Sequence, residues 1–376
     1  MCKNNEKKAL FFIYLQFILY KKIKNVKSVI MNHFDNAIIT KIAAHHVGNK
    51  NNEEGINFSK QLIDTNDTIN TLLATYFLSP FKSAEYYRFA HDTDLKFNEV
   101  YQYICNIFDQ PETLFEKSIL LSKALYDQSI HPKIKSGELY VVYFKECVVE
   151  GELTDAVGLF KSENKDMFLK VHSEEGRFVF EAEQGININR LDKGCIIFNT
   201  EREKGFMISI VDHTNKNSEA LYWMNQFLHV KQREDEYFYT QNVMSIYNQF
   251  VKEELPKQFE VSKGDQVDLM QRSVEYFKEK EEFVLEDFTE EVLAQPEIIE
   301  SFHQFKEEVI KEKEIEVADQ FTINEKAVKK EQKNFKSVIK LDKNFHIYVH
   351  GNRNLMESGI DENGRKYYKI FYQEES

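Results

Sequence analysis

Hydrophobic residues recur at helical spacing in two regions of the chain. Residues 31–132 are mainly helical after a short strand-like opening, and the segment LKFNEVYQYICNIFD places apolar side chains on one helical face. Residues 237–333 repeat this pattern in QNVMSIYNQFVKEEL and in two later segments. The apolar positions of QNVMSIYNQFVKEEL are Val243, Ile246, Tyr247, Phe250 and Val251. Both regions are therefore expected to contain helices that face a core.

Short runs of β-branched and aromatic residues predict strands in the rest of the chain. Residues 133–236 contain six such runs, from GELYVVYFKECVV to KGFMISIVD, separated by turn residues. We expect Trp223, on a helix that follows them, to pack on the sheet. Residues 334–376 hold three more short strands, too few for a stable domain, so we expect them to return to the central sheet. The predicted fold class is α+β, with a central antiparallel β-sheet or small barrel flanked by an N-terminal and a C-terminal helical region.

The first 30 residues differ from the rest. Ala9 to Tyr20 form an apolar run between two lysine pairs, shorter than the roughly 20 residues that span a bilayer. No small-residue cleavage site follows the run. We expect residues 1–30 to be a non-structural leader, with translation starting at Met31, and we expect no association with a membrane.

Charge is distributed unevenly in this acidic protein. The formal net charge is -13, and from Met31 onward 42 basic residues stand against 61 acidic ones, or -19. This balance excludes a globally basic nucleic-acid binder. Residues 275–319 contain sixteen Asp or Glu and five Lys, whereas residues 326–343 contain seven Lys, one Glu and one Asp. The C-terminal third therefore has an acidic stretch followed by a basic one.

The basic stretch is the candidate nucleic-acid site. Lysines contact phosphates without reading bases, so a local cluster is able to anchor a duplex. The candidate residues are Lys326, Lys329, Lys330, Lys333, Lys336, Lys340 and Lys343. The alternative is a solvated strand edge, where lysine discourages aggregation. The interleaved aromatics Phe335, Phe345 and Tyr348 fit a core better than base stacking.

Signatures of catalysis are mostly missing from the sequence. It has no GxxxxGK[ST], HExxH or GxSxG motif, and its four cysteines are scattered without a disulfide or zinc spacing, which fits a reducing cytoplasm. The adjacent His45 and His46 would point to opposite faces of a strand, while His346 and His350 are too far apart to share a metal. We therefore expect no metal site, cofactor or catalytic residue.

One segment keeps an enzymatic alternative open. Asp155 followed by Glu163-x-Lys165 is similar to the acidic triad that holds Mg²⁺ in many nucleases. In such enzymes the glutamate and lysine lie on a strand. Here KSENKD is typical of a turn between two strands, which disfavours the nuclease.

Several segments together resemble one family. They include IAAHHVGNK (42 to 50), HPKIKSGELYVVYF (131 to 144), AVGLFKSENKDMFLKV (156 to 171), GININRLDKGCIIFNTE (185 to 201), EALYWMNQFL (219 to 228) and FKSVIKLDKNFHIYVHG (335 to 351). By order and spacing these segments resemble the NdpA/YejK-like bacterial nucleoid-associated proteins, from about residue 34 to the end. The resemblance implies association with the nucleoid and DNA binding in the cytoplasm, and supplies no catalytic residue.

Three hypotheses follow. The first is a non-enzymatic nucleoid-associated protein that binds double-stranded DNA through the C-terminal lysines with little sequence preference. The second is an adaptor that reaches the nucleoid by binding another nucleoid or DNA-processing protein, with lysines that complement its own acidic helices. The third is a metal-dependent nuclease at Asp155, Glu163 and Lys165.

Overall fold

The computed structural model describes residues 34–214, 222–335, 338–342, 344–348 and 355–374. The chain divides into two compact units, Met1–Arg233 and Glu234–Ser376. The expected leader, residues 1–30, and the expected start at Met31 lie outside the described residues. Within the described residues, no helix combines the length and the apolar character needed to cross a bilayer.

The first unit is built on an open, eight-stranded antiparallel sheet. The strands of this unit are β1 Ile38–Val47, β2 Ile56–Phe58, β3 Tyr87–Phe89, β4 Gly137–Val149, β5 Glu152–Ser162, β6 Asp166–Glu174, β7 Arg177–Gly185, β8 Lys193–Phe198, β9 Met207–Asp212 and β10 Val230–Gln232. The sheet order is β10-β3-β9-β8-β5-β4-β1-β2, and β6 pairs only with β7, as a separate two-stranded ribbon. The α+β class and the antiparallel sheet are confirmed; the sheet does not close into a barrel.

Helices cover both faces of this sheet. They are α1 Asp67–Leu78, α2 Glu99–Asp109 and α3 Leu114–Gln128, followed by a π-helical segment, Tyr222–Leu228. Successive side chains of a strand point to opposite faces, so Val141 and Val142 of β4 enter two different cores. The Val141 core contains α2, α3 and the fully buried Trp223, which confirms that Trp223 packs on the sheet. The second core contains the C-terminal end of α1.

Aromatic rings set the packing of the second core. Phe77 of α1 stacks on Phe160 of β5 with ring centroids 4.3 Å apart. The rings of Phe144 and Phe160 lie over Gly158, where an added Cβ would come within 2.9 and 2.3 Å of their carbons. A strand position without a side chain therefore makes room for two phenylalanines.

The second unit is mainly helical. Its helices are α4 Glu236–Gln249, continued as a π-helix Phe250–Glu254, then α5 Leu255–Gln258, α6 Lys263–Glu279, α7 Leu285–Val292, α8 Pro296–Lys313 and α9 Glu325–Glu331. Two short strands, β11 Glu282–Val284 and β12 Gln320–Thr322, pair with each other. The apolar face predicted from QNVMSIYNQFVKEEL is buried in this unit's core, which confirms the helical periodicity.

The C-terminal strands pair in two hairpins. These strands are β13 Val338–Leu341, β14 Phe345–Tyr348, β15 Met356–Ile360 and β16 Lys366–Ile370. β13 pairs with β14 and β15 pairs with β16, so the expectation that they return to the central sheet is wrong. The physical reason is local: the short connections let each strand find its backbone partners in its neighbour.

Candidate functional site

Four of the candidate lysines lie on one side of α9 and of the 3₁₀ turn Gln332–Asn334 that follows it. Asn324 caps this helix, because its side-chain oxygen accepts hydrogen bonds from the backbone N–H groups of Lys326 and Ala327, at 3.0 and 3.2 Å. Ala327 and Val328 anchor the opposite side in the core. Intervals of three, four and seven residues bring Lys326, Lys329, Lys330 and Lys333 to one helical side, which we call the lysine face.

The lysine face is exposed and crowded with like charge. The side chain of Lys329 is 73% exposed, and its Nζ lies 4.0 Å from a carboxylate oxygen of Glu325. Lys330 Nζ lies 5.6 Å from the ring centroid of Tyr237. Partial burial lowers the pKa of Lys326, and the nearby charge of Lys329 adds to this effect. These partners, Glu325 and Tyr237, lie outside the acidic stretch 275–319.

The side chains of the other three candidate lysines lie outside the described residues. Lys336 and Lys343 lie outside the described residues, and Lys340 lies on β13, with a side chain that is likewise outside them. The strand-edge alternative does not apply to the lysine face, because its residues are helical. Of the interleaved aromatics, Phe335 is buried as predicted, whereas the core assignment of Phe345 and Tyr348 is wrong, since they are 66% and 61% exposed.

The nuclease residues do not converge. Asp155 lies on β5 and Glu163 follows the end of that strand, so about 25 Å separates them at ~3.3 Å per residue. Tyr143 OH donates to Asp155 at 2.8 Å, and Lys165 Nζ reaches Glu138 at 2.9 Å instead of Glu163. The turn predicted for KSENKD thus keeps the two carboxylates apart.

The described histidines and cysteines form no metal centre either. His45 is buried with Nε2 2.7 Å from Ser118 Oγ, while His46 faces Glu138 on the other side of β1, as the strand spacing predicts. Cys105, Cys147 and Cys195 are buried free thiols. Across the described part of the chain, no three His, Cys, Asp or Glu side chains are grouped as metal ligands.

A buried ionic cluster in the first unit was missed by sequence reasoning. It consists of Lys161, Glu163, Lys193, Asp212 and Tyr222. Lys161 Nζ donates to Lys135 O at 2.7 Å and to Tyr222 OH at 3.1 Å, and lies 3.1 Å from Glu163 Oε1. Lys193 Nζ lies 3.6 Å from Glu163 Oε2, 3.1 Å from Asp212 Oδ1, and contacts Thr214 Oγ1.

Solvent is nearly excluded from this ionic cluster. Lys161 and Lys193 are 0% and 1% exposed. Burial lowers the pKa of Lys161, with Glu163 opposing this effect, and burial together with Glu163 raises the pKa of Tyr222 well above its usual value. Asp192 fixes the turn, since its carboxylate accepts from the backbone N–H groups of Glu163 and Asn164 at 2.7 and 2.9 Å.

A polar pocket of about 210 Å³ opens beside the ionic cluster. The residues that line it are Lys133, Ile134, Lys135, Glu163, Asn164, Arg190, Lys193, His213, Thr214 and Tyr222. The only hint of this cluster in the sequence is Lys161, which directly follows the apolar run AVGLF. A lysine at that position is equally typical of the exposed end of a strand. Four cations around one pocket give it the chemistry to attract an anion.

Comparison with known proteins identifies the family of the chain. A search of curated proteins finds none that matches the chain. The family model of the nucleoid-associated protein YejK matches residues 44–365, which includes all of the ionic cluster and the lysine face. The chain therefore belongs to the family of the nucleoid-associated protein YejK.

Proposed function

We propose that this nucleoid-associated protein binds double-stranded DNA, without catalysis and with little sequence preference, through its C-terminal lysines. The observation that carries the proposal is the lysine face: Lys326, Lys329, Lys330 and Lys333 lie on one side of a capped helix, and the last three are exposed. Lysine is a flexible point charge that suits phosphate but is poor at bidentate reading of bases. Lys336, Lys340 and Lys343 extend the same basic stretch along the chain.

Charge reversal tests this proposal. The variant Lys329→Glu/Lys330→Glu/Lys333→Glu should lose duplex binding at moderate salt, measured by fluorescence anisotropy of a labelled duplex. A matched control reverses three exposed lysines of the first unit, Lys96, Lys145 and Lys204, and changes the net charge equally. The control should retain most of the binding, apart from a uniform loss from long-range repulsion.

The adaptor is the competing proposal. In it, a nucleoid or DNA-processing protein recruits the chain, and the acidic stretch 275–319 supplies a surface for a basic partner. A folded triple variant that binds duplex as well as the parent protein does would exclude the lysine face as the DNA contact. Loss of a protein partner from that variant, with no DNA binding by the parent, would favour the adaptor.

A further inference from the structure

The buried ionic cluster is an energetically unfavourable way to stabilise the fold. Moving charges out of water carries a desolvation penalty that an ion pair often fails to repay, and apolar residues of similar volume commonly serve as well. Lys161 and Lys193 nevertheless lie at the ends of β5 and β8 with side chains nearly free of solvent contact. Perturbed ionisable groups beside a cleft are typical of functional sites.

The pocket next to the cluster is lined by four cationic side chains, of which Lys193 is already paired with Glu163 and Asp212. Lys193 lies at its base, and Lys133, Lys135 and Arg190 are exposed around it. Glu163 is the one carboxylate among the lining residues described. In the described residues, the guanidinium of Arg190 has no hydrogen-bond or ion-pair partner, so its five donors face solvent.

The hydrogen-bonding groups and the size of the pocket define its ligand. Asn164, Thr214 and Tyr222 also line the pocket, and their amide and hydroxyl groups already donate to Asp192, Asp212 and Glu163. A volume of about 210 Å³ is enough for a tetrahedral oxyanion with a small substituent. We propose that this pocket binds a phosphate group, with the exposed guanidinium of Arg190 as the principal charge partner.

Inorganic phosphate is the probe for this pocket. Calorimetric titration of the full chain should show saturable binding, and Arg190→Ala should weaken it at least tenfold. Arg177→Ala, at an exposed arginine of β7, is the matched control and should bind as the parent does. Equal heats from sodium chloride at the same ionic strength, or undiminished binding by Arg190→Ala, would overturn the proposal.

Competition then distinguishes two sources of the phosphate. A short DNA strand with a 5′-phosphate that displaces inorganic phosphate, when the unphosphorylated strand does not, identifies a DNA end as the ligand. Displacement by small phosphomonoesters, with neither strand competing, identifies a free metabolite. Repeating the competition with Lys329→Glu/Lys330→Glu/Lys333→Glu removes the lysine face as a phosphate site, so failure of the pocket proposal can be told apart from failure of the proposed function.

A second, separate observation concerns the β6–β7 ribbon. The register pairs Leu169 with Ala182 and Val171 with Phe180, so these residues share one face. The face is apolar and exposed: Met167, Leu169, Val171, Phe178 and Phe180 are between 52% and 78% exposed. The opposite face carries ion pairs of Lys170 with Glu181 and Glu183.

Exposure and charge point to the partner of this apolar face. An isolated two-stranded ribbon is marginally stable in water, and a contiguous apolar patch of this size marks an interaction surface. All five side chains are more than half exposed, so the whole face is available to a partner. Residues 166–185 contain five acidic and two basic residues, a net -3 that disfavours DNA.

We infer that the apolar face of the ribbon packs against the same face of a second copy of this chain. The face contains no charged residue, so two copies meet there without the repulsion that their net charge produces elsewhere. A twofold contact of this kind is self-complementary, because each copy presents the same apolar face to the other.

Sedimentation analysis tests the dimer. The parent protein should be dimeric at micromolar concentration, and Phe178→Lys/Phe180→Lys should be monomeric with an unchanged far-UV spectrum. The control Lys170→Ser/His172→Ser alters the opposite face and should remain dimeric. A monomeric parent, or a dimer that survives both lysine substitutions, would overturn the inference.

Discussion

Lys161 Nζ and Glu163 Oε1 lie 3.1 Å apart, and their side chains are 0% and 4% exposed. Glu163 also faces Lys193 at 3.6 Å, so a single carboxylate stands between two buried ammonium groups. The stability of the first unit should therefore depend on this carboxylate more than on either lysine.

Replacing Glu163 should destabilise the first unit strongly. Glu163→Gln leaves Lys161 without its charge partner, and removing one member of a buried pair costs about 3–5 kcal/mol. Urea unfolding followed by the fluorescence of Trp223, the only tryptophan, measures this loss. The double variant Lys161→Met/Glu163→Gln should recover much of it. A Glu163→Gln loss below ~1 kcal/mol would contradict this prediction.

The salt dependence of duplex binding should count the lysines in contact. Four phosphates neutralised by the lysine face give a slope of log K against log salt of about -3.6. Reversing Lys329, Lys330 and Lys333 should flatten the slope by about 2.7. A slope near -6 would add Lys336, Lys340 and Lys343 to the contact, and a slope near zero would be incompatible with phosphate binding.

The cap of α9 should matter for both stability and binding. Asn324→Ala removes the acceptor of two backbone N–H groups at the start of a seven-residue helix. The expected cost is about 1 kcal/mol in the second unit, with weaker duplex binding because the lysines lose their fixed spacing. Asn324→Ser supplies a new cap and should restore both properties; anisotropy and thermal unfolding measure them. Failure of the serine variant to recover would indicate another role for Asn324.

Divalent metals should not turn the protein into a nuclease. Asp155 lies in the first half of β5 and Glu163 follows the end of that strand, and Tyr143 OH donates a hydrogen bond to Asp155. Incubation of linear, supercoiled and single-stranded DNA with Mg²⁺ or Mn²⁺ should leave all three intact. Metal-dependent nicking that disappears in Asp155→Ala would reverse this expectation.

Alkaline pH should unfold the first unit through its tyrosines. Burial raises the pKa of Tyr76 and of Tyr101 to about 12, against 10.0 when unfolded. A raised pKa in the folded state stabilises the fold below the unfolded value, and this contribution is lost as pH rises from 10 to 12. The tyrosinate absorbance of Tyr76 and Tyr101 should therefore stay low above pH 10, where free tyrosine ionises, until the unit unfolds. In Tyr76→Phe the loss of stability across this window should be smaller.

The sequence predicted local periodicity better than it predicted pairing. The buried face of α4 follows from side-chain spacing within one element. The hairpins β13–β14 and β15–β16 depend on which strand each one pairs with. The spacing of side chains within a strand does not determine its pairing partner. Lys161 was missed for a similar reason, since only the neighbouring strands and Tyr222 show that its strand end is buried.

The two cores of the sheet change how its strands find their register. In a sheet with one solvent-exposed face, a one-residue shift in strand register is unfavourable, because it moves the apolar side chains to the solvent-exposed face. Here β4 and β5 are apolar on both faces, so polarity alone does not penalise such a slip. The close approach of Phe144 to Gly158 does, because a slip of β5 along β4 would bring a side chain to the position where an added Cβ lies 2.9 Å from the Phe144 ring. The alignment of these strands therefore depends on volume, and a methyl group at residue 158 would penalise the native register as well, because it would lie against both phenylalanine rings.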